Sequence, residues 1–147
     1  MGSSEPLAAG PAIVRTLELA AGLALLTARV ADREDLAERA QALQATLSPL
    51  ATQDEAAYRE FLATRSDSAR ARTIELPLQM AELAADAAEL AAEAVLSTAS
   101  AARGDARAGV VLAEACARAA AMLVQVNGGG DAAVSATRRA SRAAARL

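Results

Sequence analysis

The stretch LPLQMAELAADAAELAAEA, Leu76–Ala94, decides the fold. Leu76, Leu83 and Leu90 recur every seventh residue, and Met80, Ala87 and Ala94 each follow four residues behind. An apolar period of about 3.5 residues marks a helix with one buried seam, packed closely against nearly antiparallel neighbours. A strand would need strict alternation, and no alternating run of Val, Ile or Thr occurs in the chain. The same stretch carries a second stripe, Glu75, Gln79, Glu82, Asp86, Glu89 and Glu93. A di-metal carboxylate bundle combines facing glutamates with Glu-x-x-His motifs. The chain has no histidine, so the stripe reads as a solvated acidic face.

Composition extends the helical reading to the whole chain. Hydrophobic residues make up 54% but aromatics only 1%, so Tyr58 and Phe61 cannot anchor a large core. Most of the apolar residues are alanines, the best helix formers, whose small side chains let helices approach to about 8 Å. At 147 residues the chain suits one domain. The expectation is an all-α, multi-helix, up-and-down bundle. Each buried alanine contributes little, so association into a homodimer is expected to supply further burial.

The pattern outward from the central stretch is helical throughout. Residues 1–10 form a flexible lead, and 11–147 the bundle domain. Pro11 suits a first helical turn. In the helix that follows, Arg15, Glu18, Gly22 and Arg29 share a sector of roughly 60° at about 100° per residue, and the rest is apolar. So narrow a polar stripe places that helix centrally or at a subunit interface. Asp32 and Asp35 are spaced to cap a second helix, which Pro49 ends, and Thr52 and Glu55 to cap a third. Asp67 or Ser68 starts a fourth, in which Pro77 is expected to kink or break the run. Asp105 is placed to cap a fifth. Gly128–Gly130 reads as a helix stop and flexible hinge, with Asp131 capping a last segment, 131–147. That segment repeats arginine at Arg138, Arg142 and Arg146 and offers few large apolar residues, so its helix is expected to fray.

Several chemistries are excluded outright. All 15 basic residues are arginines, so no lysine can form a Schiff base. Without histidine there is no Ser-His-Asp triad, Cys-His pair or histidine-ligated zinc. A net charge of −3 with no basic block argues against nucleic acid as a partner. The triple glycine lacks the Gly-Lys-Ser/Thr of a phosphate loop. Charges inside the apolar segment from Pro11 to Val30 argue against a membrane span. No signal-peptide pattern is evident, and the single Cys116, read as a buried inert thiol, fits a reducing, cytoplasmic setting. Any acid–base step falls to carboxylates, Tyr58 or ordered water. Asp54 and Asp105 sit at expected helix starts, where each serves either as a capping residue or as such a carboxylate.

The order of short motifs resembles the formiminotransferase-cyclodeaminase C-terminal domain family, which includes methenyltetrahydrofolate cyclohydrolases. The family opens with a proline and a Gly-Gly-Gly-Ser turn feeding an alanine-rich helix; LAAGPAIV, Leu7–Val14, leading into ELAAGLALLTARVA, is similar. Its Asp-x-x-Ala-Phe motif resembles DEAAY, Asp54–Tyr58, and its Glu-Val-Pro-Leu segment resembles ELPLQMA, Glu75–Ala81. Its Ser-Asp motif and alanine-rich helix resemble GDARAGVVLAEACARAAAMLVQVN, Gly104–Asn127. Of the glycine turn only Gly10 remains, with Pro11 at the serine position; Gly104 replaces the serine, and Leu123 stands where a second asparagine is expected.

The resemblance implies a dimeric helical fold that binds a tetrahydrofolate derivative, needing no metal or redox cofactor. The implied reactions are loss of ammonia from a formimino group with ring closure, or hydrolysis of a methenyl bridge. It implies Asp54 and Asp105 as the catalytic carboxylates, and Gly10, Tyr58 and Asn127 as substrate-binding residues. A carboxylate can pair with the amino-pyrimidinone edge of a pterin through two hydrogen bonds. The rival expectation is a non-catalytic helical dimer of the same fold, a binding or scaffold module, which the substituted glycine turn favours. An unrelated coiled-coil-like interaction protein is a third possibility.

Overall fold

The computed structural model describes residues 8–147. Leu7, and all of the expected lead but its last three residues, lie outside the described residues. Six helices follow in order: α1 (Ala9–Val30), α2 (Glu34–Leu47), α3 (Leu50–Thr64), α4 (Asp67–Leu96), α5 (Ala102–Val126) and α6 (Val134–Ala144). Among the described residues there is no strand, and the architecture is the all-α bundle that the heptad seam implies.

α4 is the hub and packs against each of the other five helices. Its seam residues Leu76, Met80, Ala87, Leu90 and Ala94 are buried, and so are Ala84, Ala85, Ala88, Ala91 and Ala92 around them. Each such methyl contributes about 0.8 kcal/mol, so stability rests on many small contacts at short range. Close approach is visible where α5 crosses α1. A Cβ added at Gly109 would come within 3.2 Å of the Ala20 carbonyl oxygen. α1 and α5 run antiparallel. Thr27 Oγ1 donates to the Ala102 carbonyl at 2.8 Å at one end, and the Cys116 thiol faces the Ile13 carbonyl at 3.8 Å toward the other. Burial pushes that thiol up to about 11, which keeps it protonated and unreactive.

α1 and α5 are long and apolar enough to cross a membrane by length and composition. In this fold each turns one face to the core, α1 through Ile13, Val14, Leu17, Ala20, Ala21, Ala24 and Ala28.

Pro77 does not break α4. The helix runs through it from Asp67 to Leu96, with Pro77 itself buried. Asn127 supplies the reason, as described below. Several cap assignments also change. Asp32 adopts a left-handed conformation (φ 54°) in the turn after α1, and Arg33 holds the N-cap position of α2. Arg33 binds Asp35 at 2.6 Å and draws its carboxyl down to about 2. α3 begins at Leu50, ahead of Thr52, and α5 at Ala102, which leaves Asp105 in the first turn rather than at the cap. Ser66 is the N-cap of α4, its hydroxyl accepting from the Ala69 amide at 3.2 Å.

The triple glycine stops α5 through a Schellman turn. The Gly129 amide donates to the Val124 carbonyl at 2.7 Å, and the Gly128 amide to that of Gln125 at 3.0 Å. Gly128 takes φ 96°, a left-handed conformation suited to glycine. Gly129 is wedged so tightly that a Cβ there would meet Val124 Cγ1 at 2.6 Å and Ile74 Cγ2 at 2.7 Å. The turn is packed into α4 and α5 rather than hinged. α6 then packs against α4 and α5 with Ala136, Ala140 and Ala143 buried. It is pinned by Arg139, which binds Glu82 at 3.0 Å, Asp86 at 2.5 Å and Glu89 at 2.8 Å. Part of the acidic stripe is thus a docking strip for α6. Ala133, not Asp131, holds the N-cap position of α6.

Candidate functional site

Three helices bring four of the five selected residues to one cavity of about 160 Å³. Gly10 comes from the first turn of α1, Asp54 and Tyr58 from α3, and Asn127 from the end of α5. Ala8, Ala9, Thr73, Pro77 and Leu123 complete the lining.

Gly10 faces Asp54 so closely that a Cβ would sit 2.6 Å from the carboxyl carbon. Only glycine lets the α1 terminus approach the carboxylate in this way. Asp54 is half-buried, and this burial raises its carboxyl above the ordinary aspartate range, with the charge of Glu55 adding to the effect. Tyr58 lies one turn further along α3 and is exposed, its ring forming part of the open side of the cavity.

Asn127 is held from the α4 side. Its Nδ2 donates to the Thr73 carbonyl at 2.7 Å. In a regular helix that carbonyl accepts from the amide four residues on, which here is Pro77 and has no N–H. Asn127 therefore satisfies an acceptor that the proline leaves orphaned, and α4 continues without a break. The bond uses one of the two amide N–H donors of Asn127 and leaves the other, with Oδ1, for other partners. Thr73 was not marked as a site residue from the sequence. Its position four residues before a helical proline is the signal that points to it.

Asp105 lies elsewhere. It sits exposed in the first turn of α5, whereas Asn127 caps the far end of the same helix. Twenty-two residues at 1.5 Å each separate them by roughly 33 Å. Within one chain Asp105 therefore does not share the cavity, and the expected pair of carboxylates does not converge. Among the described residues no group of three or more metal-ligating side chains occurs either.

Two further cavities extend the site to either side of Tyr58. One, of about 270 Å³, is lined by Ala8, Asp54, Glu55, Tyr58, Arg59 and Leu62. The other, of about 170 Å³, is lined by Tyr58, Phe61, Arg70, Thr73, Val126 and Asn127. Phe61 and Arg70 were not singled out as site residues from the sequence. Phe61 stands three residues beyond Tyr58, so helical spacing alone puts it on the same face of α3. Larger cavities lie between α5 and α6 and between α2 and α4, but they contain none of the selected residues.

Comparison with known proteins gives one family. The model of the formiminotransferase-cyclodeaminase family matches residues 14–143, a span that includes Asp54, Tyr58, Asp105 and Asn127 but not Gly10. No curated protein matches the chain. The match spans nearly all of the helical bundle, and the chain belongs to the formiminotransferase-cyclodeaminase family.

Proposed function

We propose that the cavity around Asp54 binds a tetrahydrofolate one-carbon derivative and that the protein acts on it as a cyclodeaminase or cyclohydrolase. The observation that carries this reading is the meeting of Gly10, Asp54, Tyr58 and Asn127, from three separate helices, on one cavity. A half-buried carboxyl with a raised pKa suits this role. Ionised, it accepts two hydrogen bonds from an amino-pyrimidinone edge; protonated, it hands a proton to a departing amine. In the deaminating reaction the secondary arylamine nitrogen attacks the formimino carbon carried by the pterin ring nitrogen and gives up its proton. A C–N bond forms, the amino group takes a proton, and ammonia leaves. In the hydrolytic reaction water adds to the methenyl carbon, one C–N bond breaks, and the released proton needs an acceptor. Asp54 is the titratable group in the cavity suited to either transfer.

The remoteness of Asp105 and the apolar Leu123 in the wall favour a second reading, a module that binds the folate without turning it over. Calorimetric titration with 5-formyltetrahydrofolate, combined with absorbance of the methenyl form over time, separates the two. Binding with turnover that Asp54→Asn abolishes supports the enzyme. Binding without turnover supports the module. Neither, from a well-folded protein, sinks the folate assignment.

Two copies are proposed to pair through the outer face of α1 and α5. Leu19, Leu26 and Val30 on α1 are exposed, as are Val111, Leu112 and Met122 on α5. The two helices are antiparallel neighbours. Leu19 and Met122 are each more than 60% exposed, a large apolar area for a chain left alone.

A further inference from the structure

The groove that runs past Tyr58 differs chemically at its two ends. α3 presents Asp54, Tyr58 and Phe61 at helical spacing and ends at Arg65, its left-handed C-cap, and antiparallel α4 presents Pro77, Thr73 and Arg70 against them. At the Asp54 end the cation is Arg59, which shares its cavity with two carboxylates, Asp54 and Glu55. At the other end Arg70 shares its cavity with Tyr58, Phe61, Thr73, Val126 and Asn127, and no carboxylate is among them. A second cation reinforces that end, because the Arg65 guanidinium lies over the Phe61 ring at 5.1 Å from its centre. The backbone makes room for Arg70. Its Nη2 lies 2.9 Å from where a Cβ at Gly128 would stand, so glycine in the Schellman turn also clears the space that the guanidinium fills.

We infer that Arg70 is the anion-recognising end of this groove and selects ligands whose aromatic body ends in a carboxylate. The aromatic part lies along Tyr58 and Phe61 while the carboxylate meets the guanidinium fork, which presents paired N–H donors in a plane. Along α4, Pro77 and Arg70 are separated by roughly 10 Å, and along α3, Asp54 and Arg65 by roughly 16 Å. A matching ligand is therefore elongated, with a hydrogen-bonding heterocycle at one end and the anion about that far away. This rests on the folate reading of the Asp54 end and assigns the other end to the glutamate carboxylates of such a ligand, so that the two ends are tested by different parts of one molecule.

The test is calorimetric titration of wild type, Arg70→Met and Arg70→Lys with two ligands. One is 5-formyltetrahydrofolate; the other is the matching 5-formyltetrahydropteroate, which lacks the glutamate. Arg70 is exposed, so neither substitution disturbs the core. Wild type is expected to bind the glutamate-bearing ligand about tenfold more tightly or better, with a preference that shrinks as salt rises. Arg70→Met is expected to lose that preference while binding the pteroate as wild type does. Arg70→Lys is expected to fall between them. Equal affinity of wild type for both ligands, or an Arg70→Met loss that is the same for both, overturns the inference and leaves the folate reading standing. Binding of neither ligand by folded wild type overturns both.

Discussion

The side-chain amide of Asn127 donates at 2.7 Å to the Thr73 carbonyl, the one acceptor in α4 that Pro77 cannot serve. The bond ties the end of α5 to the middle of α4 and shapes the wall of the candidate site. Asn127→Ala leaves a part-buried carbonyl without a partner and is expected to cost about 1–3 kcal/mol. Pro77→Ala restores an amide that can serve the same carbonyl. In that background the cost of Asn127→Ala should fall by half or more. Urea denaturation of the four proteins checks this; equal costs in both backgrounds would show that the two residues act independently.

Asp54 should titrate above an ordinary aspartate, because burial, with Glu55 nearby, disfavours its charged form. A carboxyl whose folded pKa is raised binds its proton more tightly in the native state. Its contribution to stability is therefore most favourable at low pH and declines as pH rises from the ordinary aspartate value, near 3.9, through the folded pKa. Asp54→Asn should remove that decline, leave stability at neutral pH unchanged or improved, and weaken folate binding about tenfold or more. Carbon-detected NMR titration of the carboxyl and paired melting curves report the two effects. A depressed pKa would contradict the environment described for it.

Gly10→Ala should damage the site rather than the fold. The new Cβ collides with the Asp54 carboxyl, which has to leave its present position. Helix propensity favours alanine here by up to about 1 kcal/mol, so melting should change little while binding of 5-formyltetrahydrofolate falls. A variant with unchanged affinity would mean that the Asp54 position is unimportant for the ligand.

The α1–α5 face should pair two copies. Wild type is expected to sediment as a dimer at micromolar concentration. Replacing Leu19 and Met122 together by glutamate should give monomers, since both side chains are exposed in the single chain and neither serves its core. A wild-type monomer, or a dimer indifferent to both substitutions, would point to another surface or none.

Arg139 should hold α6. Its guanidinium lowers the Glu89 pKa and also takes Asp86 and Glu82. Because the folded Glu89 pKa lies below its unfolded value, its contribution is complete above the ordinary glutamate range and is lost as pH falls through the folded pKa. Arg139→Ala is expected to cost about 1 kcal/mol or less, as these groups are largely solvated. It should raise amide exchange in α6 before the rest of the bundle. Exchange spread evenly over all six helices would argue against a separate docking unit.

The helical fold was legible in the sequence because its cause is local and periodic. Leu76, Leu83 and Leu90 recur at the spacing that buries one face of a helix, and alanine supplies both propensity and short interhelical distances. The stop at Gly128–Gly130 was legible too, since a left-handed backbone favours glycine wherever it falls. The motif order marked Gly10, Asp54, Tyr58 and Asn127, yet it grouped Asp105 with them, although the length of the helix between Asp105 and Asn127 already holds those two residues apart. Three relationships depended on the tertiary structure: the continuity of α4 through Pro77, the burial of Gly10 against Asp54, and the grip of Arg139 on three carboxylates of α4. Each joins residues more than forty positions apart in sequence. Each is set by the register in which two helices pack, and that register follows from how many small side chains interdigitate across the whole bundle rather than from any local pattern.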